Sequence, residues 1–213
     1  MTTGCSGDRT EQLPGFFVSF EGIDRSGKST QAALLAAAVG EEAILVREPG
    51  GTPAAERIRS VLLDPDLSLA AEAEALLYAA ARAEIVGRVI LPALEAGHTV
   101  VADRFIDSSL AYQGCARGLG IDVIERLNLL GTRGLWPNLT FYLKLDPEAA
   151  RIRDGQADRI EAEGADLQSA VAAAYEELQK RYQGRYVVLD ATQPVDELQV
   201  EILSVFNERR RNA

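Results

Sequence analysis

Directly after the apolar run Phe16-Phe17-Val18-Ser19-Phe20 and Glu21 stand eight residues: Gly22-Ile23-Asp24-Arg25-Ser26-Gly27-Lys28-Ser29. Their spacing is G-x-x-x-x-G-K-[ST], a phosphate-binding loop, and that loop works only between a buried strand and a helix. The glycines let the backbone curl so that its N–H groups point at phosphate oxygens. The helix that follows adds its positive end. Lys28 is placed to reach the outer phosphates and the Ser29 hydroxyl to ligate Mg²⁺. A chain that opens this way is committed to an α/β architecture early in its length.

The rest of the sequence agrees. Ala43–Val46, Thr99–Ala102, Leu139–Leu145 and Tyr186–Leu189 read as further short apolar strands. Ser29–Val39 and Val195–Arg211 read as helices, and Ala70–Ala96 as a helix interrupted near Pro92. Thr52 caps another, with Pro53 at its first position. Strands alternating with helices imply crossover connections and a mainly parallel sheet. Continuous apolar strands imply that both faces are covered. In such sheets ligands bind at the carboxyl ends of the strands.

Those ends are polar here. Arg47-Glu48-Pro49-Gly50-Gly51-Thr52 follows the second strand, and Asp103-Arg104-Phe105-Ile106-Asp107-Ser108-Ser109 the third. An acid and an arginine at a strand end can be a surface ion pair. Facing a phosphate loop, Asp103 can instead hold a metal through water and Arg104 a second phosphate.

Composition excludes several alternatives. The chain has 213 residues, the size of one domain, read as a polar tail over 1–14 and a single domain over 15–213. No run approaches the roughly 20 apolar residues that span a bilayer. With 22 Lys and Arg against 32 Asp and Glu, the net charge of −10 disfavours binding to polymeric nucleic acid. Cys5 and Cys115 lack C-x-x-C spacing, and with the single His98 they cannot build a usual zinc site. They read as free thiols of a cytoplasmic protein.

The segments FEGIDRSGKSTQ, REPGGT, YAAARAE, DRFIDSSLAYQGCARG, DRIE and DATQP, in this order, resemble the thymidylate kinase family of P-loop nucleoside monophosphate kinases. The resemblance implies a five-stranded parallel sheet flanked by helices, a short lid at about 150–161, and commonly a homodimer. It implies ATP-dependent, Mg²⁺-dependent phosphorylation of dTMP to dTDP, with no membrane or polymeric nucleic-acid partner. ATP would lie on Gly22, Ile23, Asp24, Arg25, Ser26, Gly27, Lys28, Ser29 and Thr30. The adenine-side loop would be Thr192, Gln193 and Pro194. Tyr78 matches an aromatic that stacks on thymine, while Arg82 and Gln113 match residues that hydrogen-bond the base. Arg59 and Arg104 match arginines on the dTMP phosphate, and Asp24 a carboxylate near the 3′-hydroxyl. Ser108 and Ser109 border the base, and Glu48 belongs to the same acceptor side. Ser29 and Asp103 form the metal pair. From spacing alone, Tyr78 reads more simply as core packing and Arg82 as a solvated charge; the resemblance turns both towards function.

Two features depart from the common bacterial pattern. The lid is a few residues short, and Arg25 stands in the phosphate loop as in eukaryotic and viral members. Lys28, Arg25, Arg104, Arg153 and Arg159 are therefore all candidates to neutralise the transferring group. Two rivals stay open: a deoxynucleoside or other monophosphate kinase, with Glu48 available as a base in the former, and a non-catalytic nucleotide switch.

Overall fold

The computed structural model describes residues 13–153, 159–160 and 164–212. Positions 1–12 of the expected tail, and 154–158 and Glu161 of the expected lid, lie outside the described residues.

The sheet has five parallel strands: β1 (Phe16–Glu21), β2 (Ala43–Arg47), β3 (Thr99–Asp103), β4 (Leu139–Lys144) and β5 (Tyr186–Asp190). Their order is β2-β3-β1-β4-β5, with β1 central. The helices are α1 (Lys28–Val39), α2 (Pro53–Leu63), α3 (Ala71–Ile85), α4 (Leu91–Glu95), α5 (Ile106–Ser109), α6 (Ile121–Thr132), α7 (Pro147–Arg151), α8 (Ala165–Arg181) and α9 (Val195–Arg211). Thr52 caps α2 as its sequence requires, accepting the Ala55 N–H at 3.1 Å.

Every residue of β1 is buried, and its side chains alternate between two covered faces. Phe16 meets Phe206 of α9 edge-on at 5.7 Å, whereas Phe17 meets Phe105 at 4.8 Å. Ser19 pairs with Thr140 at 3.0 Å, and Glu21 accepts from Tyr175 of α8 at 2.9 Å. The face opposite α9 thus becomes polar towards the carboxyl end of β1.

The long helical stretch breaks earlier than its proline suggested. A π-helical turn, Val86–Ile90, precedes α4, and the Leu91 N–H bonds to the Val86 carbonyl. Pro92 has no N–H and cannot continue the regular ladder, so the distortion falls in the turn before it.

Strand register aligns the functional ends. Asp103 lies opposite Phe20 on one side and Arg47 on the other. Gly22, Glu48 and Arg104, just beyond three adjacent strands, therefore share one edge of the sheet.

Candidate active site

Crowding shapes the phosphate loop. A Cβ at Gly22 would stand 2.6 Å from the Leu143 carbonyl oxygen, and Gly22 and Gly27 have φ of 143° and 95°. Arg25 (φ 63°) and Arg104 (φ 71°) also hold left-handed backbone, a cost of roughly 1–2 kcal/mol for each side-chain-bearing residue. Such strain gathers at functional sites.

Lys28 is buried and folds onto its own loop, donating to the Ile23 carbonyl at 2.6 Å and Ser26 Oγ at 3.3 Å. Burial, and then the nearby Arg104, push its ammonium down to about 8. Ser29 Oγ donates to Asp103 Oδ2 at 2.6 Å. A hydroxyl and a nearly buried carboxylate are hard oxygen donors, a set that fits Mg²⁺, which keeps waters and phosphate oxygens in its remaining positions.

Arg104 is the hub of a polar network beside the phosphate loop. It donates to the Gly22 carbonyl and Ser108 Oγ, each at 3.1 Å, and to Asp24. Asp24 also accepts from Tyr112 at 3.0 Å and Gln168 at 2.7 Å, and its N–H returns a bond to Gln168 Oε1. Burial pushes Asp24 upward, yet Arg104 and then Lys28 hold its carboxyl below the ordinary value. Beneath lies Glu21, fully buried, which accepts from the Phe105 N–H, Ser108 and Tyr175. Burial and the charge of Asp107 raise it to about 7.

At the far end Arg82 is not a solvated charge: its side chain is 2 % exposed. Nε donates to Glu48 at 2.6 Å, NH1 to Ser109 at 2.8 Å and to Asn128, and NH2 to the Phe105 carbonyl at 3.0 Å. A guanidinium has five N–H groups, so these four bonds leave one for a ligand. Burial raises the Glu48 carboxyl against the pull of Arg82. Gln113 donates to the buried Glu74 at 3.0 Å, and Arg117 and Arg159 reach the same carboxylate. Burial pushes Glu74 up, but its three donors hold it below the ordinary value.

One cavity of about 290 Å³ joins both ends. Asp24, Glu48, Arg59, Tyr78, Arg82, Arg104, Ser108, Ser109 and Gln113 line it, together with Arg25, Lys28, Ser29 and Asp103. Arg59 is steadied by the Pro49 carbonyl at 2.8 Å. Gly22, Ile23, Ser26 and Gly27 build the loop behind the lining, and Thr30 is exposed on α1. Arg25 donates to the Arg153 carbonyl at 3.0 Å, and Arg153 to the Arg25 carbonyl at 2.9 Å. Arg153 also holds the Ala191 carbonyl at 2.7 Å, next to the expected adenine-side loop. In that loop Thr192 bonds Asp190 through its N–H and hydroxyl, the Gln193 N–H meets the Asp190 carbonyl, and Pro194 precedes α9. Arg159 is spent on Glu74 at 2.5 Å and the Leu62 carbonyl at 2.6 Å.

Sequence reasoning gave no role to Tyr112, Gln168, Glu21, Tyr175, Glu74 or Arg117. Glu21 lies inside the quoted FEGIDRSGKSTQ segment and Tyr112 and Arg117 inside DRFIDSSLAYQGCARG, whereas Glu74, Gln168 and Tyr175 fall in none of the quoted segments.

A phosphate loop at the carboxyl edge of this five-stranded parallel sheet, opening on a cavity that Arg59 and Arg104 also line, is the arrangement of a P-loop kinase fold. The family model described as Thymidylate kinase matches residues 20–202. A thymidylate kinase of Halothermothrix orenii is 47 % identical over 199 residues, covering 89 % of this chain and 95 % of that protein. One from Deinococcus radiodurans is 43 % identical over 201 residues, covering 92 % and 98 %. The crystal structure of thymidylate kinase from Ehrlichia chaffeensis superposes with a TM-score of 0.75 at 30 % identity, covering 90 % of this chain and 98 % of that one. The chain belongs to the thymidylate kinase family.

Proposed function

We propose that this cavity carries out the transfer of the γ-phosphoryl group from ATP to dTMP, giving dTDP and ADP on the way to dTTP. The observation that carries the reading is the single cavity shared by Lys28 and Arg25 with Arg59 and Arg104. Phosphoryl transfer asks the protein for alignment and charge neutralisation rather than covalent chemistry. Backbone N–H groups of the loop, Lys28 and Arg25 hold the donor phosphates. Arg59 and Arg104 hold the acceptor phosphate, which is already an anion and needs no general base. Tyr78 stacks on the base while Gln113 and the remaining Arg82 N–H read its edge. Ser29 and Asp103 would hold Mg²⁺, which when bound offsets charge on the phosphate oxygens.

The exposed side of α3 and α6 suits a homodimer contact: Leu76 is 57 % exposed, Val123 51 % and Leu130 83 %. Val123 and Leu130 are two helical turns apart and share a face. Among the described residues no helix is long and apolar enough to cross a membrane.

A nucleoside kinase would need a carboxylate beside a 5′-hydroxyl, and Glu48 Oε1 is buried without a hydrogen-bond partner. Thymidine is therefore the informative comparison. The reading expects dTMP to be converted and thymidine to give no measurable product; equal turnover of thymidine would overturn it.

A further inference from the structure

Glu74 is nearly buried in α3, and no substrate-facing role follows from its position alone. Its Oε1 accepts from Gln113 Nε2 at 3.0 Å and from Arg117 Nε at 3.1 Å; its Oε2 accepts from Arg117 at 3.1 Å and Arg159 at 2.5 Å. An amide side chain can be turned end for end with little change in shape, and which end meets a ligand decides what it recognises. Opposite an ionised carboxylate that choice is gone, because the carboxylate only accepts. The Gln113 nitrogen must face Glu74, and the Gln113 oxygen is the end left for the cavity that this residue lines.

We propose that Glu74 is the specificity-positioning residue of this site: it fixes the Gln113 amide so that a hydrogen-bond acceptor is offered to the base. An acceptor there selects a base carrying an N–H at the ring position, as thymine and uracil do at N3, and repels cytosine, whose N3 is itself an acceptor. Arg117, four residues after Gln113, and Arg159 balance the charge, so Glu74 stays an acceptor at neutral pH. The inference rests on the dTMP kinase reading above, and failure of that reading is separable: the wild-type protein would then not convert dTMP at all.

Glu74→Gln restores the freedom of the Gln113 amide. With wild-type turnover of dTMP in hand, kcat/KM for dTMP and dCMP is measured in both proteins, with thermal midpoints to establish folding. The expected result is a fall of at least about tenfold in the dTMP:dCMP ratio, carried mainly by KM, since unpaired polar groups at the wrong base set such ratios. Arg117→Gln, which disturbs the same cluster without freeing the amide, keeps the wild-type ratio. If Glu74→Gln does not fold, Glu74→Asp withdraws the acceptor by one methylene while keeping its charge, and the same fall is expected. A ratio within about threefold of wild type in the folded Glu74 variant, or an equal fall in Arg117→Gln, overturns the proposal.

Discussion

Arg25 and Arg153 each donate a hydrogen bond to the other's backbone carbonyl, at 3.0 and 2.9 Å, across 128 positions of sequence. The phosphate loop is thereby tied to the end of the segment that follows α7. Arg25 lines the cavity itself, whereas Arg153 is also tied to Ala191.

This pairing sets an expectation for kinetics. Arg25→Gly removes the side chain at φ 63°, where glycine is the least strained residue. It should lower kcat by about 10²–10³, the range of a cation acting on a transferring phosphoryl group, with a smaller change in KM for dTMP. Arg153→Ala should cost less. Because each arginine positions the other, the double variant should fall well short of the product of the two single losses. Steady-state kinetics of the three variants decides. Strict multiplicativity would mean that the hydrogen bonds between them carry no function.

Lys28 gives a pH dependence. Its ammonium titrates at about 8 in the unliganded protein because burial and Arg104 disfavour its charge. Bound phosphates favour the charged form, so binding of ATP above pH 8 must first return a proton. ATP affinity should weaken by up to about tenfold per pH unit above 8 and be flat below it. Lys28→Arg, which stays charged, should remove the step, and Lys28→Ala should lower kcat by 10² or more. Calorimetric titration between pH 7 and 9.5 measures this; a flat wild-type profile contradicts the account.

Arg82 is a matter of stability as much as recognition. Its side chain and that of Glu48 are 2 % and 3 % exposed. Removing one partner leaves a buried charge unpaired, at about 3–5 kcal/mol. Arg82→Ala should lower Tm by roughly 10 °C in a chain of this size. The double variant with Glu48→Gln should recover part of the loss. A Tm within about 2 °C of wild type for Arg82→Ala would show that the pair is not buried in solution.

The parts of this molecule that were legible in its sequence are those written in neighbouring residues. The phosphate loop, the cap of α2, the strands and α9 follow from local spacing, because turns, caps and periodicity act over a few positions. Arg82 was not legible in that way. On an alanine-rich helix it reads as exposed, and only the arrival of Glu48, Ser109 and Asn128 from three other segments makes burial tolerable. Gln168 reaches Asp24 across 144 positions and Tyr175 reaches Glu21 across 154. No local pattern marks such partners, since a helix sequence shows which residues share a face but not what that face meets. The π turn before Pro92 was legible as a break but not in its place, because a missing N–H disturbs the preceding turn.

The central claim is that the cavity accepts dTMP as the phosphoryl acceptor from ATP, and the most direct measurement is ADP release across dTMP, dUMP, dCMP and dGMP. The account predicts the highest kcat/KM for dTMP. The missing methyl group should cost dUMP about 1–3 kcal/mol, and dCMP and dGMP should be used far less because they leave buried polar groups unpaired. Comparable kcat/KM for dCMP and dTMP would contradict the assignment of the base-reading residues, and ATP binding with no turnover of any monophosphate would contradict the claim itself.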